Sequence, residues 1–255
     1  MMTTSESLIS AARRLRAAVG KLKFSPPVTH VYNPLDYAWA AHELYLRRYG
    51  NSPKRVIFLG MNPGPFGMAQ TGIPFGQIAA VRDWLGIRAK IGRLPKENPK
   101  RPVLGFDCHR SEISGERLWG LFAKRFGTAQ EFFRDHIVMN YCPLAFVEET
   151  GRNRTPDKLP PGERERLFVA CDKHLLEIVG ILKPEWLIGV GDFAMKRALS
   201  VFHGGEPPVR SADRTDSSRN ELRLGQILHP SPASPASNND WAGVVTTQLV
   251  KLGVW

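Results

Sequence analysis

Four short apolar runs, at residues 55–60, 136–140, 185–190 and 222–228, alternate along the chain with stretches of helical periodicity. That alternation restricts the chain to an α/β architecture, a mostly parallel sheet with helices on both faces. Between the second and third runs, Leu167, Phe168, Cys171, Leu175, Ile178, Val179 and Leu182 recur at helical spacing and stop before Pro184, which predicts a crossover helix. Residues 37–49 and 240–252 read as helices before the first run and after the last. With 255 residues, 42% of them apolar, the chain can fill the core of one such domain.

In open parallel sheets ligands lie beyond the carboxyl ends of the strands, and three of the four runs end in unusual chemistry. The first opens into Gly60-Met61-Asn62-Pro63-Gly64-Pro65-Phe66-Gly67, continuing to Phe75 and Gly76. Its glycines and prolines fix a non-helical backbone that can approach a flat ligand closely. No Gly-Lys-Ser/Thr follows and no G-x-G-x-x-G spacing occurs, so nucleotide triphosphates and dinucleotides are disfavoured as ligands. The second run ends in Asn140-Tyr141-Cys142-Pro143, and the fourth in His229-Pro230-Ser231-Pro232-Ala233-Ser234-Pro235.

Charge narrows the partner. A formal net charge of +11 favours a polyanion bound through phosphate contacts. Arg88, Lys90, Arg93, Lys96, Lys100 and Arg101 face a single acid, Glu97, in a stretch beside Trp84, and read as a phosphate track; Arg152, Arg154 and Lys158 read as a second. Cys108, Cys142 and Cys171 form no C-x-x-C pair, so no zinc or iron–sulfur site is expected, and the thiols read as free in a reducing cytosol. No apolar stretch is long enough to span a membrane. The expected locations are the cytoplasm, on the nucleoid if the cell is bacterial, or the nucleus if it is eukaryotic. Residues 1–29 read as a basic helical extension to a domain over 30–255. Within it, Arg13, Arg14, Arg16, Lys21 and Lys23 surround Leu8, Ile9, Leu15 and Val19, which suits an amphipathic helix better than a transit peptide. Residues 151–163 and 203–220 read as exposed insertions.

The first loop, Asn140 and the His229-Pro230-Ser231-Pro232 turn together resemble the single-strand-selective monofunctional uracil-DNA glycosylase family, within the uracil-DNA glycosylase superfamily. The resemblance implies a three-layer α/β/α sandwich around a four-stranded, mostly parallel sheet over roughly residues 30–255. It implies a monomeric DNA glycosylase without cofactor or metal, which hydrolyses the N-glycosidic bond of uracil and 5-substituted uracils in single- or double-stranded DNA.

By this resemblance Asn62 positions the attacking water and His229 donates a hydrogen bond to uracil O2. Asn140 reads the N3–H and O4 edge, Phe75 stacks on the flipped base, and the backbone of Met61 and Phe66 lines the pocket. Gly64 stands where uracil-only relatives carry a Tyr that blocks the thymine methyl, so small polar 5-substituents such as hydroxymethyl should fit. The turn departs from the family's vertebrate members at Ala233 and Ser234, which replace an Arg-Asn pair of the duplex wedge. Pro230, Ser231 and Pro232 still supply a rigid edge to it, but duplex penetration should be weaker. Two other readings stay open, a glycosylase for hypoxanthine or xanthine and a nucleic-acid-binding module without catalysis, while the high net charge argues against a hydrolase of free nucleosides or nucleotides.

Overall fold

A computed structural model describes residues 2–204 and 222–255. The expected insertion at 203–220 lies outside the described residues apart from His203 and Gly204. The chain opens with α1 (Thr4–Val19), entered through a reciprocal cap in which Thr3 Oγ1 accepts the Glu6 N–H at 3.2 Å and the Thr3 N–H donates to Glu6 Oε2 at 2.7 Å. Its apolar stripe, Leu8, Ile9, Ala11, Ala12, Leu15 and Val19, is buried. Next come β1 (Val28–Tyr32), the single turn α2 (Pro34–Tyr37) and α3 (Trp39–Tyr49), with α1 lying against α2, α3 and the long helix at Pro161–Leu182. The single helix expected over 37–49 begins at Trp39, because Ala38 leaves helical geometry at φ −108°, ψ 22°.

The first apolar run forms β2 (Val56–Gly60), and the loop after it contains the short α4 (Met68–Thr71). A π-helical turn at Ala80–Trp84 leads through the basic stretch to α5 (Ile113–Phe126) and α6 (Ala129–Asp135). Then follow β3 (His136–Asn140), β4 (Ala145–Glu148), β5 (Asn153–Arg154) and the 22-residue α7 (Pro161–Leu182). Leu167, Cys171, Leu175, Ile178 and Leu182 make the buried face of α7, which ends at Lys183 in left-handed geometry, one residue before Pro184. The chain closes with β6 (Trp186–Val190), α8 (Asp192–His203), β7 (Arg223–Ile227) and α9 (Trp241–Lys251).

The four expected strands form one parallel sheet in the order β3-β2-β6-β7. Every residue of β2, β3 and β6 is buried, which is why these strands read as unbroken apolar runs, whereas the edge strand β7 is buried only at Gly225 and Ile227. Register sets the functional end: Gly60 pairs with Asn140 at the carboxyl ends of β2 and β3, and Val190 with Ile227 at those of β6 and β7. The loops carrying Asn62, Asn140 and His229 therefore leave the sheet at one end.

A second sheet, the antiparallel β1-β4-β5, was not expected from sequence. It changes the reading of residues 151–163. Gly151, Pro156 and Leu159 are buried, and β5 pairs with β4, so this stretch is a wall of the domain and not a plain exposed insertion. No described helix is long and apolar enough to cross a membrane.

Candidate active site

A cavity of about 220 Å³ opens at the carboxyl end of the parallel sheet. Met61, Asn62 and Gly64 from the first loop line it together with Phe75, Asn140, His229 and Ser231, so the structure brings together residues spread over 170 positions, from Met61 to Ser231.

Asn140 ends a fully buried strand and is 9% exposed. Its Nδ2 lies 3.2 Å from Met68 Sδ, a weak acceptor, and its Oδ1 is buried without a hydrogen-bond partner among the described residues. A buried acceptor left unpaired is unfavourable by roughly 1–3 kcal/mol, and a ligand N–H relieves that penalty. Gly60 makes the arrangement possible: a Cβ there would overlap both Asn140 Oδ1 and the Phe75 ring. Phe75 itself has φ 52°, a left-handed conformation unusual for an aromatic residue, and its carbonyl accepts the Trp119 indole N–H at 3.1 Å. Its ring lies 6.2 Å from the His229 ring, centroid to centroid.

His229 is held in one tautomer. The Ser231 backbone N–H donates to Nδ1 at 3.1 Å, so the neutral ring carries its proton on Nε2. Burial depresses the His229 pKa from its usual 6.5, which keeps the imidazole neutral at physiological pH. Asn62 is anchored by its amide, Nδ2 donating to the Leu144 carbonyl at 3.2 Å; Oδ1 makes no hydrogen bond among the described residues and is free to accept one from water.

The turn that follows His229 is cross-braced. Ser231 Oγ accepts the Ala233 N–H at 3.2 Å, the Ser237 hydroxyl donates to the carbonyls of Ser231 and Ser234, and Asn238 Nδ2 donates to the Pro232 carbonyl at 3.1 Å. From α5, Arg117 Nη1 donates to the carbonyls of Pro230 and Ser237 at 3.0 and 2.9 Å. Pro230 is buried, while Pro232 and Ala233 are exposed at the tip and Ser231 and Ser234 half-buried.

Other residues lie elsewhere. Phe66 does not line the cavity: its N–H donates to Glu112 Oε2 at 3.2 Å, and its ring is flanked by the guanidinium groups of Arg110 and Arg101, 4.0 and 5.2 Å from the centroid. Lys90, Arg93, Lys96 and Lys100 are exposed. Arg101 is half-buried, and its Nε donates to the Gly151 carbonyl at 2.6 Å, so it braces the rim. In the second basic stretch Arg154 is occupied by Glu148, at 2.8 Å, whereas Arg152 and Lys158 are exposed.

Four cavity residues carried no sequence signal of function: Glu112, Ser114, Asn153 and Thr155. The Asn153 Oδ1 is, like that of Asn140, buried without a partner among the described residues. Glu112 occupies the space above Gly64, where a Cβ would lie 2.5 Å from both carboxylate oxygens. The Gly64 corner is therefore not empty but faced by a carboxyl group, whose pKa burial pushes up from the usual 4.5 against the opposing pull of the Phe66 N–H. Among the described residues no group of three His, Cys, Asp or Glu side chains could hold a metal ion.

Residues 47–248 match the family described as the Uracil DNA glycosylase superfamily. Over 250 residues, 98% of this chain and 85% of the relative, the chain is 45% identical to a single-strand selective monofunctional uracil-DNA glycosylase of Rattus norvegicus. It is 43% identical to the corresponding protein of Bos taurus, over 98% of this chain and 87% of that one. In fold it is similar to the crystal structure of WT Pedobacter heparinus SMUG2, with a TM-score of 0.67 at 17% identity over 99% of both chains. The chain belongs to the uracil DNA glycosylase superfamily and, within it, to the single-strand selective monofunctional uracil-DNA glycosylases.

Proposed function

We infer that this protein is a monofunctional DNA glycosylase, which flips uracil or a 5-substituted uracil into the cavity, hydrolyses its N-glycosidic bond and leaves an abasic site. The observation that carries the reading is the pair of fixed donors and acceptors at the strand ends: a buried Asn140 Oδ1 without a partner and a His229 ring whose proton is held on Nε2. Uracil matches this pair. Its N3–H satisfies Asn140 Oδ1, its O4 takes the Nδ2 donor, and its O2 takes the His229 N–H. Cytosine has an acceptor at N3 and an amino donor at C4, so it meets like against like and leaves buried groups unpaired.

As the bond lengthens, negative charge collects on the departing base and positive charge on the sugar. A neutral Nε2–H donor aimed at O2 stabilises the former, and its strength there is on the order of 3 kcal/mol. An amide oxygen is too weak a base to generate hydroxide, so Asn62 holds a water that captures the sugar cation after the bond has largely broken. Phe75 offers the base a stacking face. No lysine lines the cavity among the described residues, which fits hydrolysis rather than an imine-forming lyase step.

The exposed Lys90, Arg93, Lys96 and Lys100 track phosphates, and the protein acts as a monomer on single- and double-stranded DNA. Release of base under single-turnover conditions from matched oligonucleotides, followed by alkali, tests the reading. Alkali-dependent breaks at uracil are expected in both strand forms. Tight binding without abasic product would point to a non-catalytic module, and release of hypoxanthine but not uracil to a different base.

A further inference from the structure

We propose that Glu112 is the residue that selects the substituent at C5 of the bound base, accepting a hydrogen bond from a hydroxyl there and rejecting apolar or anionic groups. The inference rests on the glycosylase reading and concerns the same cavity. Its ground is the order in which groups follow one another around the wall. O2 and C5 lie on opposite sides of a uracil ring, so a base with O2 on His229 and its N3–O4 edge on Asn140 directs C5 away from His229. The next group along that edge is Met68, whose Sδ lies 3.2 Å from Asn140 Nδ2. Met68 belongs to a closed turn with Gly64, since the Gly64 carbonyl accepts the Ala69 N–H at 3.1 Å and the Gly67 N–H at 3.3 Å. Over Gly64 stands the Glu112 carboxylate.

This carboxylate is built into the wall. Oε2 accepts the Phe66 N–H, and the glycine beneath leaves room for both oxygens. No arginine or lysine is paired with Glu112 among the described residues, and the side chain lines the cavity. An oxygen so placed is an acceptor awaiting a donor. A hydroxymethyl group supplies one, with uracil itself a water fills the gap, and a methyl or ethyl group displaces that water and leaves the acceptor unpaired. A 5-carboxylate meets like charge.

The test compares single-turnover release of 5-hydroxymethyluracil and 5-ethyluracil, which share a shape but not the hydroxyl, each relative to uracil in the same oligonucleotide. Wild-type protein should favour the hydroxymethyl base by at least about tenfold, the effect of one hydrogen bond to a charged group. In Glu112→Met, similar in length and apolar, that preference should fall to near unity. In Glu112→Gln, release of 5-carboxyuracil relative to uracil should rise by at least about tenfold, a gain that loss of structure cannot produce. Equal handling of the hydroxymethyl and ethyl bases by the wild type, or an unchanged preference in Glu112→Met, would overturn the assignment even if one variant fails to fold. Failure of the wild type to release uracil at all would instead overturn the glycosylase reading, and this proposal with it.

Discussion

His229 is the cavity group whose protonation the backbone decides. Protonation would place a second N–H on Nδ1, facing the Ser231 N–H that now donates to it, and the turn would lose that brace. Burial lowers the His229 pKa, so the neutral form persists below the usual 6.5 and is lost only as pH falls through the depressed value. The single-turnover rate should therefore stay level on the alkaline side down to pH 6.5 and decline only below it; a decline beginning above 6.5 would contradict the assignment. His229→Leu should slow release on the order of 100-fold with affinity for DNA largely kept. Asn62→Ala should slow it at least as much, because a water without its acceptor no longer waits over the sugar; wild-type rates in that variant would remove Asn62 from the mechanism. The places of these residues were legible in the sequence because each follows an apolar run that reads as a strand of a parallel sheet, whereas their roles are what the resemblance of the loops implies. Glu112 was not, because it lies 48 positions after Gly64 in an irregular stretch, and only the folded chain puts its carboxylate over that glycine.

At the scale of elements, the turn after β7 is shaped by a helix far from it in sequence. Arg117 reaches from α5 to the carbonyls of Pro230 and Ser237, and Ser237 in turn holds the carbonyls of Ser231 and Ser234. Loss of those bonds leaves His229 attached to its strand but loosens the exposed tip at Pro232 and Ala233, the edge proposed to enter a duplex. Arg117→Ala should accordingly reduce release from double-stranded DNA by about tenfold more than from single strands, where no base pair has to be opened. Equal losses on both substrates would assign Arg117 a structural role alone. The parallel sheet and its crossover helix could be foreseen, since buried strands and a 22-residue amphipathic helix have strong periodic signatures. The antiparallel β1-β4-β5 sheet could not: β5 has two residues, β4 has four, and β1 lies between prolines. Pairing with neighbours creates those strands, and with them the wall that carries Asn153 and Thr155 to the cavity.

The whole molecule carries a different group of histidines in its interior. His42, His136 and His174 are buried at 5%, 4% and 6% exposure, in α3, β3 and α7. His42 Nδ1 is bound to the Gly72 carbonyl at 2.8 Å and His136 Nδ1 to the Phe132 carbonyl at 3.0 Å, while the second nitrogen of His136 and Nδ1 of His174 have no partner among the described residues. Burial is the main cause that lowers their pKa values, to about 4 for His42 and His136 and about 3 for His174. In the unfolded chain the same rings titrate near 6.5, so between that pH and about 4 the unfolded state binds protons that the folded state refuses. Their contribution to stability is thus complete above 6.5 and is lost as pH falls, by up to about 1.4 kcal/mol per pH unit for each ring. Urea unfolding at pH 7 and pH 5 should show a large drop in midpoint, and His174→Leu, which removes one of the three rings, should flatten the dependence by about a third. Coincident midpoints at the two pH values would mean that these rings are protonated within the fold. The α1–α3–α7 packing that encloses two of them would then have to be looser than the burial of Leu8, Tyr45 and Leu175 indicates.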